Sequence, residues 1–403
     1  MYRLLVGLAR KSAFARLSRT LLVILMIAVS MSLMLALQGI YDGMTMNMIE
    51  KTKRSDCGEV SLYAKGYRLN PVLQNSIKDA DQIKASIAKR PEVKAVVARF
   101  RVEGLSATAR KSAFANIIGI DLEEEVAFGD FEKFLIAGEM VLEGRGAVIG
   151  SALAKRLKVG VGAKVIFSTQ ESSGEINAMA VKIRGIVRTS NITLDRTALY
   201  VSSARLHTFL DVAPGEATQI AVRTASEQLH DELQHCYPQL EVKTLLELYP
   251  MLKQMQEIMV IFNSITFSIV MLVVFIGIFG VMYVSVLERV REFGIMRAVG
   301  MPYCHIRTQV IFEALFVGMT GYLSGASAGL LGLLYLHYVG LDLSTWAEGL
   351  ESFGYDAVIY AQIKPVYFVS TFLAIITASL MSVVLPLRKI KSVNPIDVIK
   401  AET

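Results

Sequence analysis

Four stretches of this chain, 20–41, 258–287, 314–341 and 365–387, contain no Asp, Glu, Lys or Arg. A helix needs about 20 apolar residues to cross a hydrocarbon core about 30 Å thick, so each stretch is long enough to span a bilayer. Core helices of soluble proteins rarely run so long without a charge. Composition agrees: the chain is 53% hydrophobic and 19% charged, more apolar than a soluble globular protein of this size. The first stretch is longer than the apolar region of an ordinary signal peptide, and no small-residue cleavage site follows it at once, so it is expected to remain as an anchor. The expected fold class is membrane α-helical, with four transmembrane helices.

Basic residues in short flanking loops mark the cytoplasmic side. Segment 1–19 carries Arg3, Arg10, Lys11, Arg16 and Arg19 and no acid. Segment 288–313 sets Arg289, Arg291, Arg297 and Arg307 against Glu288, Glu292 and Glu313, and segment 388–403 sets Arg388, Lys389, Lys391 and Lys400 against Asp397 and Glu402. Segment 342–364 is acidic, with Asp342, Glu348, Glu351 and Asp356 against Lys364. Both termini are therefore expected in the cytoplasm, with 42–257 and 342–364 outside. The basic balance belongs to topology, and no nucleic-acid face is indicated. Before the first span, Leu4, Leu5, Leu8, Ala9, Ala13, Phe14 and Leu17 alternate with the basic residues, as in a helix lying in the headgroup plane; a plain cytoplasmic extension of the first helix fits as well.

Segment 42–257 reads as a mixed α/β domain inserted between helices 1 and 2. Strands are expected at 93–97, 116–120, 164–167, 181–187, 198–201 and 219–223, and helices at 151–157 and 226–236. Asn70-Pro71 reads as a helix start, with Ile77, Ile83 and Ile87 on one face. Leu245, Leu248, Leu252 and Met255 have helical spacing leading into the second span, which Pro250 either interrupts or admits. Cys57 and Cys236 share the outer domain and either pair or stay as thiols; Cys304 lies inside and stays reduced.

Catalytic constellations are missing from the pattern. His207, His230, His235, His305 and His337 are scattered, and His230 and His235 are wrongly spaced for a helical metal pair. His337, within a membrane stretch, is either functional or close enough to the helix end to reach headgroups. No Gly-x-x-x-x-Gly-Lys-Ser/Thr run occurs, so any ATPase is expected on a separate polypeptide. Gly321, Gly325 and Gly329 fall four apart, a spacing that lets two membrane helices approach closely. Between the second and third spans, Arg291, Glu292 and Arg297 alternate with Phe293, Ile295, Met296 and Val299, punctuated by Gly294, Gly300 and Pro302. Apolar residues exposed in such a loop suit a small helix docking into another protein's groove, or a loop touching lipid.

Three motifs carry a resemblance. They are Arg291-Glu-Phe-Gly-Ile-Met-Arg-Ala-Val-Gly300; Leu385-Pro-Leu-Arg388 running to Val393-Asn-Pro-Ile-Asp-Val-Ile-Lys-Ala-Glu402; and Val148-Ile-Gly-Ser-Ala-Leu-Ala-Lys-Arg-Leu-Lys-Val-Gly-Val-Gly-Ala-Lys-Val165. In this order they resemble the FtsX/MacB-type ABC transporter permeases, most of all the lipoprotein-releasing (Lol) branch. The resemblance implies a MacB-like periplasmic domain and a multi-pass inner-membrane protein with no cofactor on this chain. It also implies a second permease, identical or homologous, and a cytoplasmic ABC ATPase dimer that binds ATP and Mg. Arg291, Glu292, Phe293, Gly294, Arg297, Gly300, Met301 and Pro302 would form the coupling helix against that ATPase. The implied work is mechanical extraction of lipoproteins or other amphiphiles. Segment 168–180, where a lipoprotein-releasing permease has a proline-containing hook for its periplasmic carrier, has no proline. Efflux with a periplasmic adaptor and FtsX-like transmembrane signalling are the competing readings.

Overall fold

The computed structural model describes residues 17–170, 175–189, 191–226, 228–346, 349, 355 and 357–392. The amphipathic segment through Arg16, the motif from Val393 to Glu402, and Glu348, Glu351 and Asp356 lie outside the described residues, as does part of segment 168–180.

The chain opens with α1 (Leu17–Thr52) and continues through β1 (Val60–Ala64), α2 (Ala80–Ala88), β2 (Val93–Ala107), β3 (Ser112–Ile120) and α3 (Leu122–Gly129). Next come β4 (Leu135–Gly138), β5 (Gly146–Gly150), α4 (Ser151–Leu157), β6 (Lys164–Gln170), β7 (Ile176–Val187), α5 (Ile192–Thr197), β8 (Ala198–Ser202) and α6 (Ser203–Leu210). The inserted domain ends with β9 (Gln219–Thr224), α7 (Leu229–Cys236), β10 (Leu240–Thr244) and α8 (Leu245–Leu248). The remaining helices are α9 (Pro250–Glu288), α10 (Val290–Ala298), α11 (Tyr303–Tyr338), α12 (Pro365–Ser382) and α13 (Val384–Ser392). The helical spans 18–57, 250–288, 303–338 and 365–391 are long and apolar enough to cross a membrane. They exceed the charge-free stretches because charged turns at their ends stay helical.

Two compact units divide the chain, one of residues 1–44, 256–343 and 358–403, the other of 45–255 and 344–357. In the first, one core joins Ile27 and Met31 of α1, Ile278 and Met282 of α9, Phe293 of α10, Val310 and Val317 of α11, Ile375 of α12 and Ile390 of α13. Leu21, Leu25, Ile261, Ile269 and Leu373 remain exposed, as lipid-facing positions must.

The second unit is built on a ten-stranded sheet. Strands β10, β1 and β9 lead to the first half of β2, over a core of Leu62, Ile87, Ile220, Leu233 and Val242. The second half of β2 then pairs with both β3 and β6, and the order β2-β3-β8-β5-β7-β6 returns to β2 as a closed barrel. Closure removes free edges and sends alternate residues inward. Val102, Ala115, Ile117, Val165, Phe167, Val181 and Leu199 fill the barrel. Gly104 sits where β2 meets β6: a Cβ there would strike the Ser168 carbonyl and the Phe167 ring.

Several elements differ from the sequence reading. Asn70-Pro71 leads into a single 3-10 turn at Leu73–Asn75, and the helix starts only at Ala80. The cause is Ile77, which bridges to Ala217 and is buried in extended form. Strand β5 escapes the sequence reading because every residue of Gly146–Gly150 is buried, which removes the alternation that marks a half-exposed strand. Pro250 opens α9 instead of breaking it, since a proline in the first turn loses no helical hydrogen bond. Cys57 is buried, Cys236 exposed, and both are free thiols. His337 turns its Nδ1 to the Ala361 carbonyl, 2.8 Å away, which gives the ring a structural partner within the chain.

Candidate functional site

The short helix α10 is defined by its ends. At its C-terminus the Gly300 N–H bonds to the Arg297 carbonyl at 3.1 Å and the Met301 N–H to the Met296 carbonyl at 2.9 Å. Gly300, with φ +94°, supplies the left-handed turn this closure needs. Pro302 follows in extended backbone and caps α11.

Its inner face is anchored on three sides. Phe293 and Gly294 are buried, and with Val290, Arg297 and Ile390 they line a seam too tight for a water molecule. Arg297 Nη1 donates to the Ile390 carbonyl at 3.4 Å, and the Tyr303 hydroxyl donates to the Leu387 carbonyl at 3.0 Å, so both lean on α13. Arg289, at the α9–α10 corner, lies 5.1 Å over the Phe293 ring. Its Nε donates to Glu292 at 2.9 Å and its Nη1 to the buried Glu313 of α11 at 3.3 Å. Glu313 also accepts from the Ser285 hydroxyl at 3.1 Å. On the opposite face Arg291, Glu292, Ile295, Ala298, Val299 and Gly300 are exposed, Ile295 by 48% and Val299 by 84%. Phe293 is thus not among the exposed apolar residues expected from sequence: helical spacing turns it away from Ile295 and into the core. Met296 and Met301 are partly buried against that core.

Along α11, Gly321, Gly325 and Gly329 face α1. A Cβ on Gly321 would lie 2.8 Å from Ile27, on Gly325 2.8 Å from the Ala28 carbonyl, and on Gly329 2.7 Å from Leu35. These glycines set how near the two helices come.

A second cluster, inside the α/β unit, has no counterpart in the sequence reading. Just past α1, residues 53–57 form one wide π turn in which the Gly58 N–H bonds to the Lys53 carbonyl at 3.0 Å. The turn brings Asp56 into the interior, where Arg101 Nη2 and the Tyr249 hydroxyl both donate to its carboxylate. Arg99, 1% exposed, donates to the Asp56 carbonyl and to both oxygens of Glu125 on α3, at Nη2 with 2.7 Å. Its guanidinium lies 5.0 Å from the Phe128 ring. Asn191 Nδ2 donates to the Tyr249 oxygen at 3.0 Å. Burial works against the Arg101 charge, but the Asp56 carboxylate overrides it and holds the pKa above the ordinary value. Burial, together with the Asp56 charge, pushes the Tyr249 hydroxyl well up, so it stays a donor. The sequence carries one hint of this cluster: Arg99 and Arg101 alternate with Phe100 and Val102 just beyond the expected strand.

Neither cluster holds a nucleophile with an adjacent base, and among the described residues no group of His, Cys, Asp and Glu is placed to bind a metal. What both clusters do is fasten helix ends.

The MacB-like periplasmic core domain model matches residues 20–235, and the FtsX-like permease C-terminal model matches residues 264–395. The chain belongs to the FtsX/MacB family of ABC transporter permeases. The permease is 24% identical over 269 residues to the uncharacterized ABC transporter permease YknZ of Bacillus subtilis, covering 63% of each chain. It is 29% identical over 161 residues to the macrolide export ATP-binding/permease protein MacB of Wolinella succinogenes, covering 40% of this chain and 22% of that one. It is 22% identical over 282 residues to the lipoprotein-releasing system transmembrane protein LolE of Haemophilus influenzae, covering 66% of this chain and 65% of that one. This permease thus spans under two thirds of YknZ and about 22% of the Wolinella MacB. Among solved structures, the periplasmic region of MacB from Actinobacillus actinomycetemcomitans aligns with 51% of the chain at 14% identity and TM-score 0.34.

Proposed function

We propose that this chain is the permease subunit of an ABC transporter that extracts lipoproteins, or similar lipid-anchored substrates, from the inner membrane by moving its periplasmic domain. A separate ATPase dimer would hold ATP and Mg and supply the work, and a second permease, identical or homologous, would complete the transmembrane part. Both termini would be cytoplasmic, with α10 as the coupling helix. The observation that carries the reading is the continuity of α1 and α9, which run without a break from the apolar stretches into the residues of the α/β unit. On this reading the two helices would carry motion from one end to the other. The geometry of α10 supports its role: Phe293 and Arg297 root it in the bundle while Arg291, Ile295 and Val299 face outward for a partner's groove.

Identity to the macrolide export MacB proteins favours one alternative, MacB-like efflux with a periplasmic adaptor. Mass spectrometry of the complex, purified through a tag on this chain, separates the two. An ATPase together with acylated protein is the expected result. An ATPase with an adaptor or a wall hydrolase, and no acylated cargo, would overturn lipoprotein release and move the function to efflux or signalling.

A further inference from the structure

Within the α/β unit, the residues that follow α1 and those that precede α9 meet at one carboxylate. Within that unit Met48 and Ile49 of α1 pack with Leu252 and Met255 of α9, alongside Cys57, Leu245 and Tyr249. Asp56 adjoins this apolar contact through its sequence neighbour Cys57 and through Tyr249. One of its oxygens takes the Arg101 guanidinium from β2, the strand common to both halves of the sheet, and the other takes the hydroxyl of Tyr249, the residue immediately before α9. Its own carbonyl is held by Arg99.

We propose that Asp56 is a positioning residue that clamps the last turns of α1 to the first turns of α9 and fixes both to β2, so that the two helix ends move as one with the domain. The inference rests on the mechanical reading above. Three features support it. The carboxylate of Asp56, itself just past α1, bonds at once to the residue preceding α9 and to the central strand. The π turn that delivers it is a local departure from α geometry of the kind that clusters at functional sites. The grip is reinforced sideways, since Glu50 of α1 accepts from Arg54 and from Arg223 of β9, each at 2.9 Å. An apolar contact alone would hold the helices together but allow them to slide; hydrogen bonds to opposite oxygens of one carboxylate fix their register.

The test uses the full chain in nanodiscs with Cys236→Ser and Cys304→Ser. Spin labels replace Met46 and Met251, which are 47% and 70% exposed on α1 and α9. Electron paramagnetic resonance should give one narrow distance distribution. Asp56→Asn and Tyr249→Phe are each expected to broaden it about twofold, as a locked pair becomes an ensemble. Glu125→Gln, which removes an equally buried charge from Arg99 but leaves both Asp56 oxygens bonded, should leave the width unchanged. An unchanged width in Tyr249→Phe, a variant mild enough to fold, overturns the clamp, as does equal broadening in Glu125→Gln. The functional half is read separately, in the complex with the co-purified ATPase. Tyr249→Phe should lower cargo-stimulated hydrolysis about tenfold. Broadening without loss of stimulation keeps the clamp and removes the mechanical reading on which it was placed.

Discussion

Arg99 and Glu125 form the most deeply buried ion pair among the described residues of the α/β unit, with both carboxylate oxygens engaged. A buried pair of this kind is weak evidence of net stabilisation, because desolvating two charges offsets much of their attraction. Removing one partner is a different matter, since it strands the other. Glu125→Gln is therefore expected to lower stability by about 3–5 kcal/mol, read as a shifted midpoint in a urea titration of the detergent-solubilised chain; an unchanged midpoint would mean the guanidinium finds another acceptor. At Gly325 the physics is steric. A side chain there meets the Ala28 backbone and Met31, whereas one at Gly332 meets nothing within 4 Å. Gly325→Leu should cost about 1–3 kcal/mol while Gly332→Leu is nearly neutral, and equal effects of the two would show that α11 does not rest on α1 through this face.

At the scale of elements, α10 behaves as a bracket. Its charged face is separated from its rooted face by helical spacing, and Arg297 belongs to both: the side chain reaches the Ile390 carbonyl while remaining partly exposed. Arg297→Glu places a carboxylate against that carbonyl. The expected result is membrane insertion as in the natural chain but at least about a tenfold loss of cargo-stimulated ATP hydrolysis by the partner; normal stimulation would remove α10 from the coupling role. Much of this element is legible in the sequence. Gly300 followed by Pro302 is a helix stop with a mechanism, and the charges of the loop mark its exposed side. The direction of Phe293 is not legible, because a nine-residue helix carries too few turns for an apolar stripe to stand out and the decisive contacts come from Ile390, nearly a hundred residues away. The α/β unit shows the same division. The bounds of the helix at Ser151–Leu157 can be read from the sequence, although Gly150 and not the serine is its N-cap and no side chain caps it, and six strands can be located, whereas fully buried β5 lacks a period and the second half of β2 is hidden by its polar residues. Beyond the alternation of Arg99 and Arg101, the Asp56 cluster is not legible for a related reason: its members come from positions 56, 99, 101, 125 and 249, and only the folded domain brings them together.

For the whole molecule, the decisive quantity is the side of the membrane on which each unit lies, because the same four helices in the opposite orientation would give the α/β unit no access to an extracytoplasmic leaflet. Basic flanks favour segments 1–19 and 288–313 inside and the inserted domain outside. Native thiols can measure this without new substitutions, for Cys236 is exposed on α7 and Cys304 is exposed at the start of α11, while Cys57 is buried. A membrane-impermeant maleimide added to intact spheroplasts should label Cys236 alone. Disrupting the membrane should add Cys304, and Cys57 should react only after unfolding, since burial shields its thiol from reagent. Labelling of Cys304 first would invert the topology and with it the transport reading. It would leave the clamp at Asp56 untouched, because that joint depends only on how α1 and α9 are bound within the domain and not on which compartment surrounds it.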